Sequence, residues 1–235
     1  MNREEKIVKE YLQSQGLVDI LFEPDGNIPP DFLVNRKIAI EVRRLNQHYE
    51  SNAGHKGLEE ISIPLWQKLE NFFVSLGPSI DGESWFVAVR YKRPVGKWKD
   101  VKKTLKEKLT LFRTNKDRKG TSFFVSDNFE IELFRAGKSQ DTFFLLGAAS
   151  DRDAGGWVLS EIARNLRLCI DEKTKKVQKY RYKYEEWWLI FVDQIGYGLN
   201  QRDQETFENE IKITHDWDKI ILIDPMNPKR AMILP

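Results

Sequence analysis

The chain has 235 residues, 38 Lys and Arg against 36 Asp and Glu, and 40% hydrophobic residues, which is enough for one large domain or two small ones. No apolar run is long enough for a membrane span, and the charged start Met1-Asn2-Arg3-Glu4-Glu5-Lys6 lacks a signal-peptide stretch. A single cysteine, Cys169, excludes an internal disulfide and fits a reducing cytoplasm, and with only three His it makes a His/Cys zinc site a poor fit.

A helix over 3–15 is predicted from the stripe Ile7, Val8, Tyr11 and Leu12, with Gly16 ending it. Glu4 and Glu5 occupy its first turn, where acids favour the helix dipole. A strand over 17–22 and a turn over 23–27 follow. Residues 31–34 and 38–45 then read as two strands joined by the tight polar turn Asn35-Arg36-Lys37, because Asn tolerates a left-handed backbone. Strand alternation puts Ile38, Ile40 and Val42 on one face and Ala39, Glu41 and Arg43 on the other. Asp31, at the mouth of this hairpin, can bring a second carboxylate towards Glu41. Two carboxylates converging beside a cation can hold a divalent metal against a phosphate.

Residues 47–60 read as a polar loop in which His48 and His55 are exposed. Ser62 is the expected N-cap of a second helix, with Pro64 in its first turn and Leu65, Trp66, Leu69, Phe72, Phe73 and Leu76 facing a sheet. Lys68 lies on its other side and reads as a solvated lysine. Residues 85–91 form a buried strand. Between Arg90 and Lys119 there are 13 Lys or Arg against three acids, mostly on a helix whose inward stripe contains Trp98, Val101, Leu105, Leu109 and Phe112. Such a face either tracks a phosphate backbone or is simply solvated. Residues 122–125, 129–134 and 142–146 read as three short antiparallel strands, a small inserted β-meander.

Leu159, Ile162, Ala163, Leu166 and Ile170 mark a long helix, with Cys169 beside the stripe. It runs into a second basic tract, 173–184, where cations alternate with tyrosines in a manner suited to phosphates and stacked bases or to an ordinary surface. Residues 187–193 and 219–224 are strongly apolar strands ending in Asp193 and Asp224, which lie where α/β sheets build sites or where loops need caps. A short helix over 206–210 and an edge strand over 232–234 complete one α/β domain, 1–235, with a β insertion at about 120–150.

Pro30-Asp31, nine intervening residues and Glu41-Val42-Arg43 resemble the signature of the PD-(D/E)xK nuclease superfamily, which includes restriction endonucleases and Holliday junction resolvases. The match is tight over the hairpin and extends loosely to about the first eighty residues. The resemblance implies a restriction endonuclease-like mixed central sheet flanked by helices. It also implies Mg²⁺ or Mn²⁺ on Asp31 and Glu41, and catalysis of phosphodiester hydrolysis, in DNA for most relatives, by Asp31, Glu41 and Arg43. Homodimers are common in such nucleases. The chain departs from the pattern at Arg43, where Lys is expected; Arg stays protonated and is planar. The resemblance makes Lys68 a substitute cation from a neighbouring element and Glu4 or Glu5 a further carboxylate. Two other readings stay open. One is a catalytically inactive nuclease-fold module that binds nucleic acid or a protein partner. The other is an accidental motif, with Asp31 capping a turn and Glu41 paired to Arg43 or Arg44 on an exposed strand.

Overall fold

The computed structural model describes residues 1–51 and 54–234. It is a mixed α/β fold. The chain runs α1 (Arg3–Ser14), β1 (Ile20–Phe22), β2 (Phe32–Val34), β3 (Ile38–Leu45), β4 (His48–Ser51), β5 (Gly54–Gly57), α2 (Glu59–Ser75), β6 (Trp85–Tyr91) and α3 (Trp98–Thr114). It continues through β7 (Thr121–Ser126), β8 (Phe129–Arg135), β9 (Phe144–Asp151), α4 (Val158–Val177), β10 (Glu186–Asp193), α5 (Gln201–Glu210), β11 (Lys219–Ile223) and β12 (Ala231–Ile233). The chain divides into two compact units, Met1–His48 with Gly155–Pro235, and Tyr49–Ala154. The segment at 120–150, expected as an insertion in a single domain, lies inside the second unit, which already begins at Tyr49.

The first unit is built on a six-stranded sheet in the order β1-β2-β3-β10-β11-β12. β1 and β3 flank β2 antiparallel, β10 is parallel to both β3 and β11, and β12 closes the edge antiparallel. Central parallel strands are covered on both faces, which is why β10 reads as a near-continuous apolar run. On one face α1 buries Ile7, Val8, Tyr11 and Leu12 against Ile40, Val42, Ile190 and Val192. A capping box starts α1: Asn2 Oδ1 accepts the Glu5 N–H at 2.9 Å while Glu5 Oε2 accepts the Asn2 N–H at 2.6 Å. On the other face α4 buries Ile162, Leu166 and Ile170 against Ala39, Leu45, Leu189 and Phe191. Both faces of β3 are therefore interior, and each large apolar side chain lost from them costs about 2–5 kcal/mol.

The second unit has its own core and a four-stranded sheet in the order β7-β8-β6-β9. The expected meander is corrected here. β7 and β8 do pair antiparallel, but β6 lies between β8 and β9, and β9 runs parallel to β6. Burial explains the order: Trp85, Val87, Val89 and Tyr91 of β6 are all buried, as an interior strand requires, whereas much of β9 is exposed and suits an edge. The second helix begins at Glu59, so Ser62 lies within it and is not its cap; the N–H groups of Ile61 and Ser62 both bond to the Leu58 carbonyl. The polar loop at 47–60 contains the paired strands β4 and β5, with residues 52 and 53 outside the described residues.

Candidate functional site

The hairpin at residues 31–45 forms as its residues dictate. Asn35 and Arg36 both take positive φ, 50° and 58°, within the three-residue connection 35–37, where the Lys37 N–H bonds to the Val34 carbonyl at 3.1 Å. Phe32 pairs with Ile40, so Asp31, one residue further out, comes level with the Glu41–Val42 peptide. Its Oδ2 accepts the Val42 N–H at 2.7 Å. Asp31 and Glu41 are thus joined through one peptide unit.

Glu41 is fully buried, on the face of β3 that α4 covers. Its Oε2 accepts hydrogen bonds from Lys173 Nζ at 2.6 Å and Lys176 Nζ at 3.3 Å. Its Oε1 is buried and has no hydrogen-bond partner. A carboxylate removed from water is stable only when paired, and these two lysines supply that pairing. The pairing of Glu41 with Arg43 or Arg44 on an exposed strand, one of the three sequence readings, is not what forms. Arg43 instead bonds Glu172 Oε2 through Nη2 at 3.1 Å, and its Nε is buried without a partner. The Arg43 guanidinium also reaches the Cys169 thiol. Burial pushes that thiol up, and the neighbouring arginine opposes the shift.

Lys173 and Lys176 were not among the residues expected at this site; the sequence placed them in a basic tract suited either to phosphates and stacked bases or to an ordinary surface. The signal was the stripe of α4 itself. Lys173 follows Leu166, Cys169 and Ile170 at helical spacing and precedes Val177, so it lies on the buried stripe of the helix. The rest of the tract is partly consumed. Lys175 pairs with Asp171, Lys183 pairs with Asp25, and Lys179 lies over the Tyr180 ring.

The remaining candidates separate clearly. Glu5 is committed to the capping box of α1, which packs on the opposite face of the sheet from Glu41; Glu4 shares that first turn. Lys68 is exposed on α2 of the second unit. His48 is buried rather than exposed, because its backbone N–H and its ring Nδ1 both meet Asn165 Oδ1 of α4, at 2.9 and 3.0 Å. His55 is exposed, with Nε2 at 3.9 Å from Glu50. Asp193 and Asp224 act as caps. Asp193 accepts the N–H groups of Ile195, Gly196 and Gly198, and Asp224 accepts that of Met226. Burial raises the Asp193 carboxyl above the ordinary range; the three amides oppose this and Asp224 adds to it.

Among the described residues no group of three or more His, Cys, Asp or Glu side chains is placed to hold a metal. A donor set of two carboxylates still suits Mg²⁺ or Mn²⁺, since such ions keep several waters and take substrate phosphate oxygens as ligands. The unpartnered Glu41 Oε1 and the second oxygen of Asp31 are the atoms free to fill that role. No helix among the described residues is long and apolar enough to cross a membrane. Comparison with family models, with curated proteins and with solved structures found no match.

Proposed function

We propose that this protein is a divalent-metal-dependent nuclease of restriction endonuclease-like fold that hydrolyses phosphodiester bonds, with DNA as its substrate. The observation that carries the reading is the junction at Val42: Asp31 bonds its amide at 2.7 Å, and the adjacent Glu41 keeps one carboxylate oxygen unpartnered beside a lysine. The connectivity also supports it, since α1, the antiparallel strands β1 to β3, then α4 and the parallel strand β10 make a mixed sheet with helices on both faces.

In this reading Asp31 and Glu41 would hold Mg²⁺ or Mn²⁺, and the chemistry such an ion would supply is a more acidic bound water and neutralised phosphate charge. Lys173 orients Glu41 through its 2.6 Å bond and supplies the positive charge that the signature expects two residues after Glu41. Arg43 takes a positioning role: its pairing with Glu172 fixes α4, and with it Lys173, against β3. Lys176, about half exposed, is the outer of the two cations on Glu41 and the one open to an anionic substrate.

A second reading rests on one specific observation. Glu41 has no exposed surface and two lysines on one oxygen, as in a closed structural ion pair, which suits an inactive module that binds nucleic acid or a protein. Incubating linear duplex, single-stranded and branched DNA, and RNA, with Mg²⁺ or Mn²⁺ separates the two. Metal-dependent cleavage that disappears in Glu41→Ala supports the nuclease. No cleavage of any substrate, with salt-sensitive binding retained, supports the inactive module.

A further inference from the structure

The second unit carries a cleft of about 720 Å³, within the range typical of small-molecule sites. Its apolar floor includes Ile61, Leu65 and Val95, and the aromatic rings of Tyr49 and Trp98 line it. Three exposed lysines, Lys56, Lys68 and Lys97, line it, and none of their ammonium groups is held in an ion pair or hydrogen bond among the described residues. Two acids also line the cleft, each with one oxygen near a partner: Glu60 Oε1 accepts the Gly57 N–H at 3.1 Å, and Glu50 Oε1 lies 3.9 Å from His55 Nε2.

The frame of the cleft is cross-linked by one arginine. Arg93, with its side chain 4% exposed, bonds Asp151 at 2.7 Å, Asp153 at 3.1 Å and the Leu58 carbonyl at 2.7 Å, and so ties the end of β6 to the start of α2 and the end of β9. Its guanidinium also covers the Tyr49 ring, 4.8 Å from the centroid. Lys97 is the N-cap residue of α3 and makes no side-chain cap; its carbonyl takes the Asp100 and Val101 N–H groups, so the Trp98 and Lys99 amides are those that add partial positive charge beside Trp98, in a first turn that also carries Asp100.

We infer that this cleft binds a nucleotide unit, its phosphate on Lys56, Lys68, Lys97 and the α3 N-terminus and its base against Tyr49 and Trp98. Unpaired cations beside aromatic rings fit the chemistry of a nucleoside phosphate, where charge binds the phosphate and ring faces accept any base. The same unit can come from a free nucleotide or from a single strand, and the inference does not depend on chemistry at Glu41.

The test is fluorescence anisotropy of a labelled mixed-sequence single-stranded oligonucleotide with the full-length protein in EDTA. It is repeated for Lys68→Ala/Lys97→Ala and for Lys103→Ala/Lys106→Ala, which removes two exposed lysines of α3 outside the cleft. Thermal melts check that each variant is folded. Competition with dAMP and with inorganic phosphate, and direct titration of dAMP, complete the set. The cleft variant is expected to lose at least tenfold in affinity while the control variant changes less than threefold, with dAMP competing better than phosphate. Binding of dAMP without the oligonucleotide identifies a free nucleotide as the source and also supports the inference. Wild-type affinity in the cleft variant, equal losses in both variants, equal competition by phosphate and dAMP, or no binding of either probe would overturn it. Retained binding in Glu41→Ala separates this result from any failure of the nuclease reading.

Discussion

Two carboxylate pairs in the first unit differ in what holds them. Asp193, at the end of β10, is satisfied by backbone and takes three amides; Asp224, at the end of β11, takes the Met226 amide on Oδ1 and has Arg230 Nη1 3.8 Å from Oδ2. Glu41 is satisfied by side chains, with two lysines on Oε2 and nothing on Oε1, and Asp31 gives one oxygen to the Val42 amide. A carboxylate bonded to amides can release them only by unmaking its turn. One held by lysines can exchange them for a cation as the lysines swing aside. Asp193 therefore fixes a loop and Glu41 is the acid suited to chemistry, although both are buried beside apolar strands; Asp31 is only partly buried, and one of its oxygens is held by an amide.

The largest effect separating them is expected at Glu41. Glu41→Ala leaves the Lys173 ammonium buried and unpaired, at a cost of about 3–5 kcal/mol. Replacing both partners, Glu41→Met with Lys173→Met, is expected to cost clearly less than the two single changes added together, as measured by denaturant unfolding in a double-mutant cycle. Strict additivity would mean that the pair is not coupled. Asp193→Ala comes next: three turn amides lose their acceptor, a loss of about 2–4 kcal/mol, while cleavage per folded molecule remains at the wild-type level. A loss of cleavage equal to that of Glu41→Ala would erase the distinction between the pairs. Gly198→Ala is expected to cost about 1–3 kcal/mol, because φ is +84° and an added Cβ would lie 2.6 Å from Asp224 Oδ2.

The smallest effect is a pH dependence. Burial raises the folded Asp193 carboxyl above its ordinary 3.8, so between that value and the folded one the native state holds more protons than the unfolded state. Stability from this group therefore rises as pH falls through that window and is lost as pH climbs back through it. Asp193→Asn should remove that slope, and melting temperatures of the two proteins across the acidic range should draw apart in favour of wild type on acidification. Parallel curves would show that this carboxyl does not titrate differently on folding.

Local chemistry made much of this legible. The Asn35 turn, the alternation along β3, the apolar run of β10 and the stripes of α1, α3 and α4 each follow from neighbouring residues, and the structure forms them close to where the pattern placed them. What did not follow was partnership at a distance. Lys173 meets Glu41 across 132 positions, and periodicity could show that Lys173 faced inward but not what it faced. The burial of His48 depends on Asn165, 117 positions away, and the parallel pairing of β9 with β6 skips β7 and β8. Ser62 was misread for a local reason: a good capping residue was present, but the helix starts earlier, on the Leu58 carbonyl.

The central claim is that Asp31 and Glu41 form the cation site, and titration of Mn²⁺ followed by its electron paramagnetic resonance tests it directly. The account predicts bound Mn²⁺ in the wild-type protein and in Asp193→Asn, with binding lost in both Asp31→Asn and Glu41→Gln. Binding that survives both hairpin substitutions, or that is absent from the wild type, would contradict it.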